Sequence, residues 1–133
     1  MKMTAACMTV LAALAMGTAG QAAARPAACD MDGSQRDLNA CAWQRVARAD
    51  AEMNRLYGQQ MKRVGAESRA RLRDAQRAWI AYRDKSCLYE AGPREGAGTV
   101  WPMVDALCRE GLTKQRSVIL EQYSACAGAP CPE

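Results

Sequence analysis

The chain has 133 residues, with 18 basic and 14 acidic side chains, no histidine and seven cysteines. Without histidine, Ser-His-Asp and Cys-His nucleophilic catalysis and histidine metal ligation are excluded. A net charge of +4, spread through segments of mixed sign, leaves no electrostatic footprint for nucleic acid.

Lys2 is the only charge before Arg25, and an apolar run over residues 5–16 is followed by Ala22-Ala23-Ala24. A charged start, a short apolar core and small residues at the end describe a signal peptide over residues 1–24, cleaved near Ala24. The run is too short to span a membrane, and Gly17 and Gly20 interrupt it. A lipid anchor needs a cysteine directly after the apolar run, whereas Cys7 comes too early and Cys29 too late. The expected product is a periplasmic or secreted single domain over residues 25–133, with no stable membrane anchor.

Removing residues 1–24 takes away Lys2 and Cys7, leaving a net charge of +3 and six cysteines: Cys29, Cys41, Cys87, Cys108, Cys126 and Cys131. An even count in a small exported chain describes a disulfide framework. Spacing does not choose among the possible pairings. The arrangement taken forward joins nearest neighbours: Cys29–Cys41, Cys87–Cys108 and Cys126–Cys131. Each bridge would contribute about 2–4 kcal/mol, mainly by restricting the unfolded chain.

The first helix is predicted over residues 35–64, where Leu38, Cys41 or Ala42, Val46, Ala49, Met53, Leu56 or Tyr57, Met61 and Val64 keep helical spacing. Ser34 with Asp37 three residues later is a capping-box pattern that starts it, and Gly65 breaks it. The second helix is predicted over 68–90, with Leu72, Ala75, Trp79, Tyr82 and Ser86 or Cys87 along its buried stripe. Residues 92–99 hold three glycines and a proline without periodicity, which makes a loop. Helical spacing resumes at Met103, and Gly111 before Thr113 suggests a break with Thr113 capping a last helix. No segment alternates long enough for a strand. The expected fold is all-α: a three- or four-helix antiparallel bundle stapled by disulfides, with a glycine-rich loop between the second and third helices.

Candidate chemistry is sparse. Asp30-Met31-Asp32-Gly33-Ser34 looks briefly like a calcium loop, but Cys41 stands where the bidentate glutamate is needed. Asp50 with Glu52, or Asp84 with Glu90, lacks the apolar pocket that paired acid–base carboxylates require. Arg69, Arg71, Arg73 and Arg77 point to different sides of a helix and read as a solvated face. No catalytic residue, cofactor or metal is expected, and an enzyme is not.

Three blocks carry a family resemblance. They are Asp50-x-x-Met53-Asn54-x-x-Tyr57, then Leu72-x-x-Ala75-Gln76-Arg77-x-Trp79-x-x-Tyr82-Arg83-Asp84-x-x-Cys87, then Cys108-x4-Thr113-x-x-Arg116-x3-Leu120. Together they resemble the LprI-type lysozyme inhibitor family across residues 29–123. The resemblance implies a small exported helical protein, stapled by disulfides, that binds and inhibits lysozyme. In the loop an alanine separates glycines that are often adjacent in that family, as Gly96-Ala97-Gly98-Thr99.

The polar members of the blocks, Asp50, Asn54, Gln76, Arg83, Asp84 and Arg116, are expected to form a structural network, for example Asp50 with Arg83 or Arg116, and Thr113 of the third block is a structural motif residue expected to cap the last helix. Tyr57, Trp79 and Tyr82 are expected in the core. Arg94, Glu95, Gly98, Thr99 and Trp101, in and beside the loop, are the candidate partner-binding residues. The alternative is a structural or interaction protein of the cell envelope whose target is not lysozyme. Oligomeric state is left open.

Overall fold

The computed structural model describes residues 29, 32–128 and 131. The expected signal segment and Cys7 lie outside them. Three helices follow in order: α1 (Gln35–Arg63), α2 (Ala66–Ala91) and α3 (Trp101–Ala125). No strand occurs among the described residues.

The capping box starts α1 where the sequence places it. The Ser34 hydroxyl accepts from the Asp37 N–H, and the Asp37 carboxylate accepts from the Ser34 N–H, both at 3.3 Å. Two orphan amides are thereby satisfied at once. Val64 and Gly65 alone separate α1 from α2, and the Arg69 Nε donates back to the Val64 carbonyl at 3.0 Å. Gly92, at φ 69°, ends α2. Pro102 sits in the first turn of α3, where a missing N–H leaves nothing unpaired.

The expected break at Gly111 is absent, and α3 runs through it, so the bundle has three helices rather than four. Glycine inside a helix costs only about 1 kcal/mol relative to alanine. The surrounding turns more than offset that, because Ala106, Glu110, Thr113 and Leu120 are all buried. Thr113 is therefore no cap: it lies mid-helix, fully buried.

Cross-helix contacts fix the topology. Asn39 meets Thr99, Arg45 meets Glu110, Asp50 meets Thr113 and Gln60 meets Ser124, so α1 and α3 run parallel. Cys87 meets Cys108 and Gln76 meets Arg116, so α2 is antiparallel to both. α1 packs chiefly on α3, α2 leans on α3, and α1 and α2 scarcely approach one another directly.

Two apolar clusters make the core. Ala42, Val46 and Ala106 with Met103 form one end. Met53, Leu56 and Leu120 with Tyr57, Leu72, Trp79 and Tyr123 form the other. Burying Leu120 completely is worth roughly 1.5–3 kcal/mol. Asp50, at the level between the clusters, opens a polar layer. The buried residues of α2 are Gln76, Arg83 and Cys87; Cys87 lies on the expected stripe, while Gln76 and Arg83 lie one position round from it. Ala75 is exposed, and Tyr82, expected in the core, is 59 % exposed.

The disulfides join nearest neighbours. Cys29–Cys41 ties the chain entry to α1, Cys87–Cys108 ties α2 to α3, and Cys126–Cys131 closes the tail. Among the described residues no helix is long and apolar enough to cross a membrane.

Candidate functional site

The motif residues converge on the polar layer. Arg83 Nη1 donates to Asp50 Oδ1 at 2.8 Å and to Thr113 Oγ1 at 3.1 Å, while its Nε reaches Asp84 Oδ1 at 3.1 Å. The Thr113 hydroxyl donates in turn to Asp50 Oδ1 at 3.3 Å. Arg109 continues the chain, with Nη1 on Asp84 at 2.6 Å and Nε 3.0 Å from both oxygens of Asp105. Charges thus alternate in sign from Asp50 to Asp105. That alternation gives the buried Asp105 a two-pronged partner in Arg109.

A second branch lies around Trp79. The guanidinium carbons of Arg83 and Arg116 stand 5.3 and 6.0 Å from its ring centroid. Arg116 Nε donates to Gln76 Oε1 at 3.0 Å, and Gln76 Nε2 lies 3.2 Å from Met53 Sδ. Arg116 Nη2 is buried without a hydrogen-bond partner among the described residues. Asp50, Arg83, Asp84 and Thr113 therefore share one network, partly exposed at its two carboxylates, and Gln76 with Arg116 forms a second that meets it at the Trp79 ring. Asn54 and Tyr82 do not join: both are exposed, on the flank of α1 and α2 away from α3.

Sequence reasoning missed Arg45, Asp105, Arg109 and Glu110. The signal was present as the four-residue spacings Asp105–Arg109 and Glu110–Lys114, the reach of helical ion pairs. Glu110 is buried between Arg45 at 2.8 Å and Lys114 at 2.7 Å. Burial works against its ionisation, but the hydrogen bonds from Lys114 and Arg45 outweigh it and hold the carboxyl below its ordinary value. Every carboxylate of this layer faces an arginine or lysine. Such an arrangement fastens helices and offers no free acid or base.

The loop over residues 92–100 is held at both ends. Trp101 Nε1 donates to the Gly92 carbonyl at 3.0 Å, and Asn39 Nδ2 donates to the Thr99 carbonyl at 2.9 Å. Between these clasps Gly96 and Gly98 take φ 80° and 71°, a left-handed backbone that other residues adopt only under strain. Arg94 stacks 5.6 Å above the Trp101 ring. Beneath them Cys87–Cys108 joins the two helices that carry the loop. Arg94, Glu95, Gly98 and Thr99 are exposed, while Trp101 is half-buried. Leu88, Tyr89, Pro93, Arg94 and Trp101 wall a shallow depression of about 640 Å³.

A protein of Rhizobium meliloti (strain 1021), itself uncharacterised, is 35% identical over 102 residues, which covers 67% of this chain and 73% of that one. No solved structure matches the chain. The family model described as lysozyme inhibitor LprI matches residues 26–120, a span that holds all three helical blocks and the loop. The chain belongs to the LprI lysozyme inhibitor family.

Proposed function

We propose that this protein is exported and inhibits lysozyme by direct binding, with the loop between α2 and α3 as the contacting element. The observation that carries the reading is the double clasp on that loop, Trp101 to Gly92 and Asn39 to Thr99, above the Cys87–Cys108 bridge. A preordered loop loses little entropy on binding, so more of its contact energy appears as affinity. Arg94 meets the catalytic carboxylates in the lysozyme cleft, and Glu95 meets basic residues at its edge. Gly98 and Thr99 shape the loop's descent, and Trp101 supports Arg94 from below. Residues 1–24 direct export and are removed near Ala24, leaving residues 25–133 as the inhibitor.

Turbidity of a cell-wall suspension treated with lysozyme tests this directly. Addition of the purified protein is expected to slow clearing, and Arg94→Ala is expected to weaken the effect. Unchanged clearing at large molar excess, across several lysozyme types, refutes it.

One observation favours a second reading, an envelope interaction protein with another target. A chain of charge +3 after cleavage gains no long-range attraction to a basic lysozyme. Capture of a different periplasmic protein, lost on Trp101→Ala, is the result that reading expects.

A further inference from the structure

The stripe that periodicity assigns to the core is the one α2 leaves open. Leu72 and Trp79 are half-buried, but Ala75 and Tyr82 are exposed, and Tyr89, further along the same stripe, is 88 % exposed. On α1, the contact of Asp50 with Arg83 marks the line turned toward α2. Trp43, Ala47 and Asn54 stand on that flank at helical spacing from Asp50, and all three are exposed, Trp43 by 42 %. None of these exposed positions is charged, although 24% of the chain is Asp, Glu, Lys or Arg.

We infer that this α1–α2 face is closed by a second copy of the same chain. Two observations select that occupant. The first is size. Aromatic side chains present about 150–250 Å² each, so Trp43, Tyr82 and Tyr89 at their observed exposures offer on the order of 400 Å². The alanines and Asn54 around them extend the face toward the roughly 800 Å² that each partner brings to a standard interface.

The second is shape. The antiparallel register of α1 and α2 sets Trp43 level with Ser86 and Tyr89 at one end. Ala51, Gly58, Ala75 and Ala78 occupy the other end and the middle. A two-fold axis across the helices lays the aromatic end of one copy over the small-residue end of the other, twice, which is the self-complementarity of an isologous dimer.

Tyr89 borders the depression that Arg94 and Trp101 wall, so the test is placed at Ala47 and Tyr82, which do not line it. Sedimentation equilibrium of the purified, oxidised protein from micromolar to millimolar concentration is expected to show monomer and dimer in exchange. Ala47→Arg and Tyr82→Asp put a charge at exposed helical positions. Each is expected to raise the dimer dissociation constant about tenfold or more, with helix content by circular dichroism unchanged. A monomer mass at every concentration overturns the inference, and so does a dimer that both variants leave intact. A monomer that retains a different protein through Trp43 and Tyr82 overturns it as well.

Discussion

Thr113→Val isolates the value of the polar layer. Valine keeps the shape of the side chain and removes only the hydroxyl. Thr113 is fully buried, accepts from Arg83 at 3.1 Å and donates to Asp50 at 3.3 Å. A net hydrogen bond is worth about 1 kcal/mol, and more when one partner is charged. Arg83 nonetheless keeps Asp50 at 2.8 Å and Asp84 at 3.1 Å, so it is never stranded as an unpaired ion. The expected loss is about 1–2 kcal/mol, well short of the roughly 3–5 kcal/mol for breaking a buried ion pair. Urea unfolding followed by circular dichroism measures it, with the slope unchanged because the same surface is exposed on unfolding. Thr113→Ser, which keeps the hydroxyl and deletes a methyl, gives the packing contribution alone, about 1 kcal/mol. In combination with Asp50→Asn, the loss from Thr113→Val should shrink by roughly 0.5 kcal/mol or more, because both residues serve one guanidinium. A valine variant as stable as the parent, or strict additivity with Asp50→Asn, refutes the network.

Arg116→Met is expected to cost about 1–2 kcal/mol by stranding Gln76 Oε1. Adding Gln76→Leu should restore parental stability or exceed it, since no buried polar group then lacks a partner; calorimetry of the single and double variants checks this. Glu110 has a carboxyl pKa lowered by folding from its ordinary 4.5, so its stabilisation is present above that value and fades as pH falls through the lower, folded one. Glu110→Gln should therefore flatten the acid limb of a stability-against-pH curve, and a parallel curve contradicts the assignment. Replacing Cys87 and Cys108 with serine opens a loop with a separation of 21 residues, expected to cost about 3 kcal/mol in urea unfolding. The same variant should inhibit cell-wall clearing more weakly at a temperature where it stays folded.

The sequence was most legible where local chemistry acts alone. Ser34 and Asp37 start α1 because both partners of the cap sit within one turn, and glycine with proline marks the loop whatever the tertiary context. It was least legible on α2. Apolarity alone turns Ala75 and Tyr82 inward, yet Gln76 and Arg83 take the buried face because Asp50, Thr113 and Arg116 on other helices supply their partners. Those partners are remote in sequence, so helical spacing cannot announce them. Gly111 misled for a related reason. Its intrinsic penalty is real but small beside the burial of Glu110, Thr113 and Leu120 around it. Of the loop, the residues were evident and the fastening was not, because Asn39 reaches Thr99 from far away in the chain.

The parallel packing of α1 on α3 also bears on how the protein folds. All three disulfides are local, with separations of 12, 21 and 5 residues, and none joins α1 to α3. Oxidation therefore preassembles the α2–α3 hairpin and shortens the path from α1 to α3, but ties α1 to neither helix. Contacts of high sequence separation form late and slowly because chain entropy is lost before they are made. The docking of α1 onto the α2–α3 platform is therefore expected to set the folding rate, since it depends on the chain's own side chains rather than on any covalent tie.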